Sequence, residues 1–317
     1  MGGSPIDSGE MRSYYTTNSH ISRARSASEV FTSKRMFGDF DPAKMKLPRE
    51  ACDSAASPHS RGIIYAEDVT GSMGRFLLSL IKEEFPRLIK KTYDTVSFDP
   101  HIMFMGVGDV AAGDEAPLQV TQFETDLRML DQLQKIWLEE CGGGNGSESY
   151  ILPWYFASRH IRMDCWEKRK EKGFLFTFGD DGPTPKLTKR DVDRVFGGRS
   201  SLEASMLTPE DCLERASEKF YCYHIILRGG AYDSYVVRDW RKLMGSHVCD
   251  LSDHKYLPEL VTTILAMYEG LTKTEALSKI ESNEARRVVE EALKWHEEEI
   301  SDLKEISEDS DPQIDLF

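Results

Sequence analysis

The chain has 317 residues, 40% hydrophobic and 30% charged, with a formal net charge of −14. That length supports one large core or two modest ones in an ordinary globular composition, and the absence of an apolar run of about 18 residues excludes a membrane-spanning helix of the usual kind. An acidic field of this size disfavours direct binding to a phosphate backbone and suits cations and basic surfaces.

In chain order, residues 1–60 are rich in Ser, Arg, Gly and Pro and read as an irregular N-terminal arm, with a basic stretch at Ser22-Arg23-Ala24-Arg25. The first ten residues lack a basic-then-apolar signal pattern, so the expected setting is the cytoplasm. Between residues 61 and 270 short apolar runs alternate with amphipathic segments. Gly62-Ile63-Ile64-Tyr65-Ala66 predicts a buried strand, and Phe76, Leu77, Leu80, Ile81, Leu88 and Ile89 then recur at helical spacing. Residues 102–107 and 118–123 read as the next two strands. Leu127, Leu130, Leu133 and Trp137 line one helix face, and Trp154, Phe156, Ile161 and Trp166 suggest another helix. Residues 174–178, 221–227 and 246–251 predict three further strands, with helices over 233–244 and 255–269. Such alternation predicts an α/β fold: a doubly wound, mostly parallel six-strand sheet with helices on both faces. Residues 271–317 predict an acidic helical extension with a flexible C-terminal tail. The six cysteines are scattered without a Cys-x-x-Cys pair, so they read as reduced thiols and not as zinc ligands.

Three polar loops fall at predicted strand or helix ends, where open parallel sheets bind ligands. They are Asp68-Val69-Thr70-Gly71-Ser72, Gly142-Gly143-Gly144-Asn145-Gly146-Ser147-Glu148-Ser149 and Gly179-Asp180-Asp181-Gly182. Asp, Thr and Ser at i, i+2 and i+4 place one carboxylate and two hydroxyls on one side of a tight turn. This all-oxygen set suits a hard divalent cation, Mg²⁺ first, with Mn²⁺ or Ca²⁺ as alternatives. A single full carboxylate would leave residual positive charge, able to capture an acidic residue from a protein partner. The same three residues are also good caps for a helix beginning near Met73, which is a purely structural role. Asp109, Asp114 and Glu115 read as a solvated acidic loop, and His101, His160 and His224 as packing residues.

Asp68-x-Thr70-x-Ser72 after an apolar strand resembles the metal-ion-dependent adhesion site of the von Willebrand factor A (vWA) family. By element order the resemblance covers residues 61–270. Gly106-Val107-Gly108-Asp109, Phe123 and the Gly-rich loop ending in Ser147-Glu148 resemble a subgroup with an acidic second loop. The resemblance implies a vWA/Rossmann-like domain that binds protein through a metal rather than performing catalysis. Asp68, Thr70 and Ser72 would be direct or water-mediated ligands, and Asp180, with Asp181 one residue away, matches the family's downstream aspartate. Many members carry a threonine in the second loop. This loop has none, so Ser147 or Glu148 would close that side, with Ser149 and Asn145 as substitutes. A glutamate there would bind the metal more tightly and leave less attraction for an acidic partner. The resemblance also suggests an adaptor working with an ATPase-containing assembly.

Two other functions compete. The first loop also resembles the nucleophile loop of haloacid-dehalogenase-type phosphotransferases. There Asp68 would attack phosphorus, Gly179-Asp180-Asp181 would hold Mg²⁺, and Lys168, Lys170 or Lys172 would steady the phosphoryl group. Against it, Thr184 stands where the late motif needs a second acid, and the Gly-rich loop has no role. The tail Gln313-Ile314-Asp315-Leu316-Phe317 resembles the pentapeptide by which bacterial DNA polymerases and repair proteins hold the sliding clamp. Gln313 would position one end while Leu316 and Phe317 fill an apolar pocket, making the chain a replication or repair adaptor.

Overall fold

Six strands form the central sheet of the computed structural model, which describes residue 6 and residues 8–139, 146–198, 205–228 and 234–296. They are β1 (Ser60–Asp68), β2 (Asp99–Val107), β3 (Leu118–Val120), β4 (Gly173–Gly179), β5 (Phe220–Leu227) and β6 (Val248–Leu251). Their order across the sheet is β6-β5-β4-β1-β2-β3. Neighbours run parallel except the β2–β3 pair, where the short edge strand is antiparallel. The fold is therefore α/β with a six-strand, mostly parallel sheet, as the sequence predicts. Read from β3, the order is 3-2-1-4-5-6, the doubly wound arrangement.

Both faces of the sheet are covered, which is why β1 reads as an unbroken apolar run and not as an alternation. On one face Ile63, Tyr65, Phe104, Phe176 and Ile225 pack with the helical residues Leu77, Leu80, Leu88, Leu260 and Ile264. On the other, Ile64, Ala66, Met103, Leu175 and Ile226 pack with Leu152, Trp154, Phe156, Phe196 and Trp240. Each buried Leu, Ile, Met or Phe side chain among these contributes about 1.5–3 kcal/mol. Among the described residues Cys165, Cys212, Cys222 and Cys249 are buried free thiols.

Several elements depart from the sequence reading. The helix after β1 runs as Gly74–Ser79, a π-turn at Leu80–Glu84, and Phe85–Thr95. Pro86 has no N–H to continue the ladder, and the π-turn sits directly before it. The strand expected over 118–123 stops at Val120, where Thr121 turns its hydroxyl onto the Phe104 backbone. The helix lined by Leu130 and Leu133 is only Arg128–Leu133; Trp137 lies beyond it, with its backbone held by Gln119. Ile161, expected inside a helix, instead joins the short strand Ile161–Met163, which pairs in parallel with Arg49–Ala51. That strand separates the helices Ile151–His160 and Asp164–Arg169.

Near the start of the chain, Ser8–Thr17 and Ser19–Arg23 are helical, and Ile21, Val30 and Phe31 join the first core face. Lys82 donates to the Ala24 carbonyl at 2.6 Å and Tyr15 to that of Ile81 at 2.8 Å, which fastens this segment to the helix after β1. Beyond residue 270 the helical pattern divides into Lys273–Ser278 and Asn283–Ala292. Thr272 forms a capping box with Glu275, and Ser282 caps the second helix. Leu277, Val289 and Leu293 are buried in the main core, so this part of the extension docks. Gln313, Leu316 and Phe317 lie outside the described residues, with everything after His296. Among the described residues no helix is long and apolar enough to cross a membrane.

Candidate cation site at the switch point of the sheet

β1 is followed in space by β2 on one side and β4 on the other. The chain leaves β1 toward β2 and leaves β4 toward β5, so the loops after β1 and β4 diverge and open a crevice between them. This is the topological switch point, where open α/β sheets bind ligands. Asp68 is the last residue of β1, and Asp180 directly follows β4.

The first loop turns back at once. Asp68 is fully buried, and its Oδ1 accepts from the Thr70 backbone N–H at 2.9 Å and from Thr70 Oγ1 at 2.6 Å. Thr70 Oγ1 lies 3.4 Å from Ser72 Oγ, which donates to Asp180 Oδ1 at 2.8 Å. An unbroken line of side-chain oxygens thus joins Asp68, Thr70, Ser72 and Asp180. This favours Asp180 over Asp181 as the third-loop oxygen. Thr70 also precedes the 3₁₀ turn Gly71–Met73, yet its side chain makes no cap hydrogen bond there. Its hydroxyl is spent on Asp68, so capping does not explain it.

The second loop reaches the same point through a residue the motif reading did not single out. Tyr150 OH donates to Asp68 Oδ2 at 2.7 Å. It passes across Gly179, where an added Cβ would lie 1.7 Å from the tyrosine oxygen. Only glycine leaves room for that crossing. Ser147–Glu148 pairs in parallel with Gly182–Pro183, tying the second loop to the third. Of the two candidate second-loop residues, Ser147 is half-buried and Glu148 is buried. Ser149 is spent elsewhere: its hydroxyl donates to Asp109 Oδ1 at 3.2 Å and accepts from the Val110 N–H at 3.0 Å. Residues 142–145, Asn145 included, lie outside the described residues.

The electrostatics are uniformly acidic. Burial, with a smaller push from Asp180, raises the Asp68 carboxyl to about 7 despite the bonds from Thr70 and Tyr150. Glu67, one residue earlier, is pushed well above the carboxylate range by burial, then by Asp68 and Asp180. Both of its oxygens are buried without a hydrogen-bond partner. Burial, followed by Asp68 and Asp109, pushes Glu148 up to about 10, and its Oε2 has no partner either. A buried charge is costly unless it is paired or coordinates a metal, so these orphaned oxygens fit a cation-binding crevice. Among the described residues no group of three or more His, Cys, Asp or Glu side chains is placed as a metal-ligand set. The candidate donors are instead two carboxylates, Asp68 and Asp180, and two hydroxyls, Thr70 and Ser72, with Glu67 and Glu148 alongside. That mixture suits Mg²⁺, which keeps several of its own waters.

The acidic loop after β2 differs from its solvated reading. Asp109 is fully buried and accepts from the N–H groups of Ala111 and Ala112, while Asp114 accepts from the Asp109 N–H. These carboxylates close their own turn, and only Glu115 of the three is exposed. His224 is a packing residue, as expected. It stacks on Trp240 with ring centroids 3.5 Å apart, and its Nδ1 is 2.8 Å from Thr177 Oγ1. Burial holds its pKa well below the usual value. The unfolded chain therefore binds a proton that the fold refuses, and stability is lost as pH falls below about 6.5. Melting curves between pH 7.5 and 5 should show this loss in the wild type and a smaller loss in His224→Gln.

Of the lysines named for phosphoryl transfer, Lys168 and Lys172 are engaged elsewhere and Lys170 lies over the Trp166 ring. Lys168 pairs with Asp164 at 2.8 Å and Asp53 at 3.2 Å, and Lys172 donates to the Ser217 carbonyl at 2.7 Å. Lys172 immediately precedes β4, at the opposite end of that strand from Asp180, about 26 Å away at about 3.3 Å per residue. A cavity of about 450 Å³ also lies at that far end, lined by Lys172, Tyr221, Met267 and His296 among others, and shares no residue with the three loops.

No protein-family model matches the sequence. No curated protein matches it either. Among solved structures, the chain is similar to the pilus adhesin SpaC from Lactobacillus rhamnosus GG in its open conformation. That similarity has 9% identity and a TM-score of 0.45, over 68% of this chain and 30% of the adhesin. It is also similar to a von Willebrand factor type A protein from Catenulispora acidiphila, with 13% identity and a TM-score of 0.37, over 70% of this chain and 48% of that one. The chain thus spans less than half the length of either protein.

Proposed function

We propose that this chain is a non-catalytic, vWA-type interaction module that holds a divalent cation, Mg²⁺ first, in the crevice between β1 and β4. The cation is presented to a protein partner, and the module serves as an adaptor. The observation that carries this reading is the continuous oxygen line Asp68–Thr70–Ser72–Asp180, set beside buried carboxylate oxygens that have no other partner. Asp68 anchors the ion from the end of β1, and Asp180 holds it from the third loop, directly or through water. Thr70 and Ser72 add hydroxyl oxygens once their protons turn away from the carboxylates. Glu148 closes the second-loop side with its unspent oxygen. The bound cation supplies one open position that a partner's oxygen completes. Tyr150 keeps Asp68 oriented, and its buried ring excludes water from beneath the site.

Lys168 and Lys172, two of the lysines offered for phosphoryl transfer, are engaged elsewhere, which favours binding over that reading. Calorimetric titration of Mg²⁺ and Mn²⁺ tests the proposal. Wild type should take up one ion per chain, and Asp68→Ala should give only the heat of dilution. A wild-type titration as flat as the variant's would overturn it.

A further inference from the structure

We propose that the N-terminal arm builds a second binding site, beside the edge strand β3, for an oxyanion carried on an aromatic body. A cavity of about 420 Å³ opens there, lined by Phe37, Asp39, Lys46, Arg49, Gln122 and Lys135 among others. A volume of this order suits a small molecule. None of these residues belongs to the three polar loops, so this inference and the cation reading can fail separately.

Arg49 carries the argument. It opens the short strand Arg49–Ala51, where alternation turns Arg49 and Ala51 inward and Glu50 outward. Arg49 is 2% exposed. Its Nη2 donates to the carbonyls of Asp39 and, at 3.3 Å, Val120, while its Nε has no partner. Among the described residues its hydrogen bonds thus reach carbonyls and no carboxylate. A buried charge without a counter-charge is costly. Burial lowers this guanidinium to about 10, against a weaker upward pull from Asp39. The other lining charges do not neutralise it. Lys46 and Lys135 add two cations and Asp39 one carboxylate, so three positive charges line the cavity against one negative. In a chain of net charge −14 this is a local reversal of sign. An incoming carboxylate or phosphate supplies the missing counter-charge, since both match the planar guanidinium fork.

The rim indicates what the oxyanion is attached to. Phe37 is 43% exposed, one of three large hydrophobic side chains so exposed among the described residues. Buried Phe40 holds its ring edge-on with centroids 5.1 Å apart, and Lys135 Nζ lies 5.7 Å from the Phe37 centroid. An aromatic body resting on Phe37 therefore brings its charged end among the cations.

Calorimetry in EDTA, which keeps metal out of the loop crevice, tests this with phenyl phosphate as the probe. Wild type should bind it at one site, about fivefold more tightly than inorganic phosphate, which lacks the ring. Benzoate should displace it if the site takes either head group, and should fail to if the site takes phosphate alone. Arg49→Gln should weaken binding more than about tenfold. Replacing Lys46 and Lys135 together by Gln should weaken it about fivefold. Both lysines are exposed, so that double variant keeps the fold and decides the matter if far-ultraviolet circular dichroism shows Arg49→Gln unfolded. A flat wild-type titration through millimolar phenyl phosphate, or wild-type affinity in the double-lysine variant, would overturn the inference.

Discussion

EDTA should lower the melting temperature of the wild-type protein by roughly 5–10 °C relative to saturating Mg²⁺, and should leave Asp68→Ala unmoved by either addition. A ligand that binds only the folded state at about 100 times its Kd stabilises it by about 2.7 kcal/mol. For a domain of this size each kcal/mol moves the melting point by about 2–4 °C. The effect carries a pH signature whose sign follows from Asp68. Its carboxyl titrates near 7 in the fold, well above the unfolded value. The metal-free fold therefore binds a proton that the unfolded chain has released, and its stability falls as pH rises from about 4 to 7. A cation replaces that proton and removes the loss, so the gap between Mg²⁺ and EDTA should widen as pH rises to 7, and further above it because Glu148, pushed up to about 10, also gives up its proton to the ion. Differential scanning calorimetry at pH 5, 6, 7 and 8 measures it. A gap that narrows with rising pH would place the ion away from Asp68.

Gly179→Ala should cost about 3 kcal/mol and abolish the Mg²⁺ response in the same protein. Overpacking a tight interior forces side-chain and backbone shifts of that order, and this Cβ would meet the Tyr150 oxygen at 1.7 Å. The tyrosine has nowhere to go. It is fully buried, packed edge-on against His224 and Trp240, and its hydroxyl holds Asp68. Any retreat breaks that bond and releases the anchor carboxylate. Tyr150→Phe separates the two effects, because it removes the hydroxyl without crowding and should cost only about 1 kcal/mol. Urea unfolding and Mg²⁺ titration of both variants would check this. Full Mg²⁺ affinity in Gly179→Ala would show that the three loops are not locked through Tyr150.

Much of the site was legible residue by residue. Asp68, Thr70 and Ser72 stand at successive spacings of two after an apolar strand, and that spacing alone puts their oxygens on one side of the turn. Asp180 was readable because an acidic pair follows directly on a strand. Glu67 carried a signal that motif reading passed over, since a charge inside an otherwise apolar run has to be compensated by something. Tyr150 carried none, because one tyrosine at a helix start looks like any core aromatic. The edge region was misread for a related reason. The apolar spacing over 127–137 and 154–166 matched a helix, but Trp137 and Ile161 are held by Gln119 and by pairing with Arg49. Both partners are remote in sequence or outside the periodic window.

The order of amino acids by itself determined where the six central strands lie, that their sheet is mostly parallel and covered on both sides, and that two strand ends carry oxygen-rich turns. Those properties follow from burial of nearby residues, which local periodicity records. Only the tertiary structure decided that β4 lies beside β1, that Tyr150 crosses Gly179 to reach Asp68, and that Ser72 meets Asp180 across 108 positions of chain. Strand order is set by how whole layers pack, and no spacing within one segment encodes it.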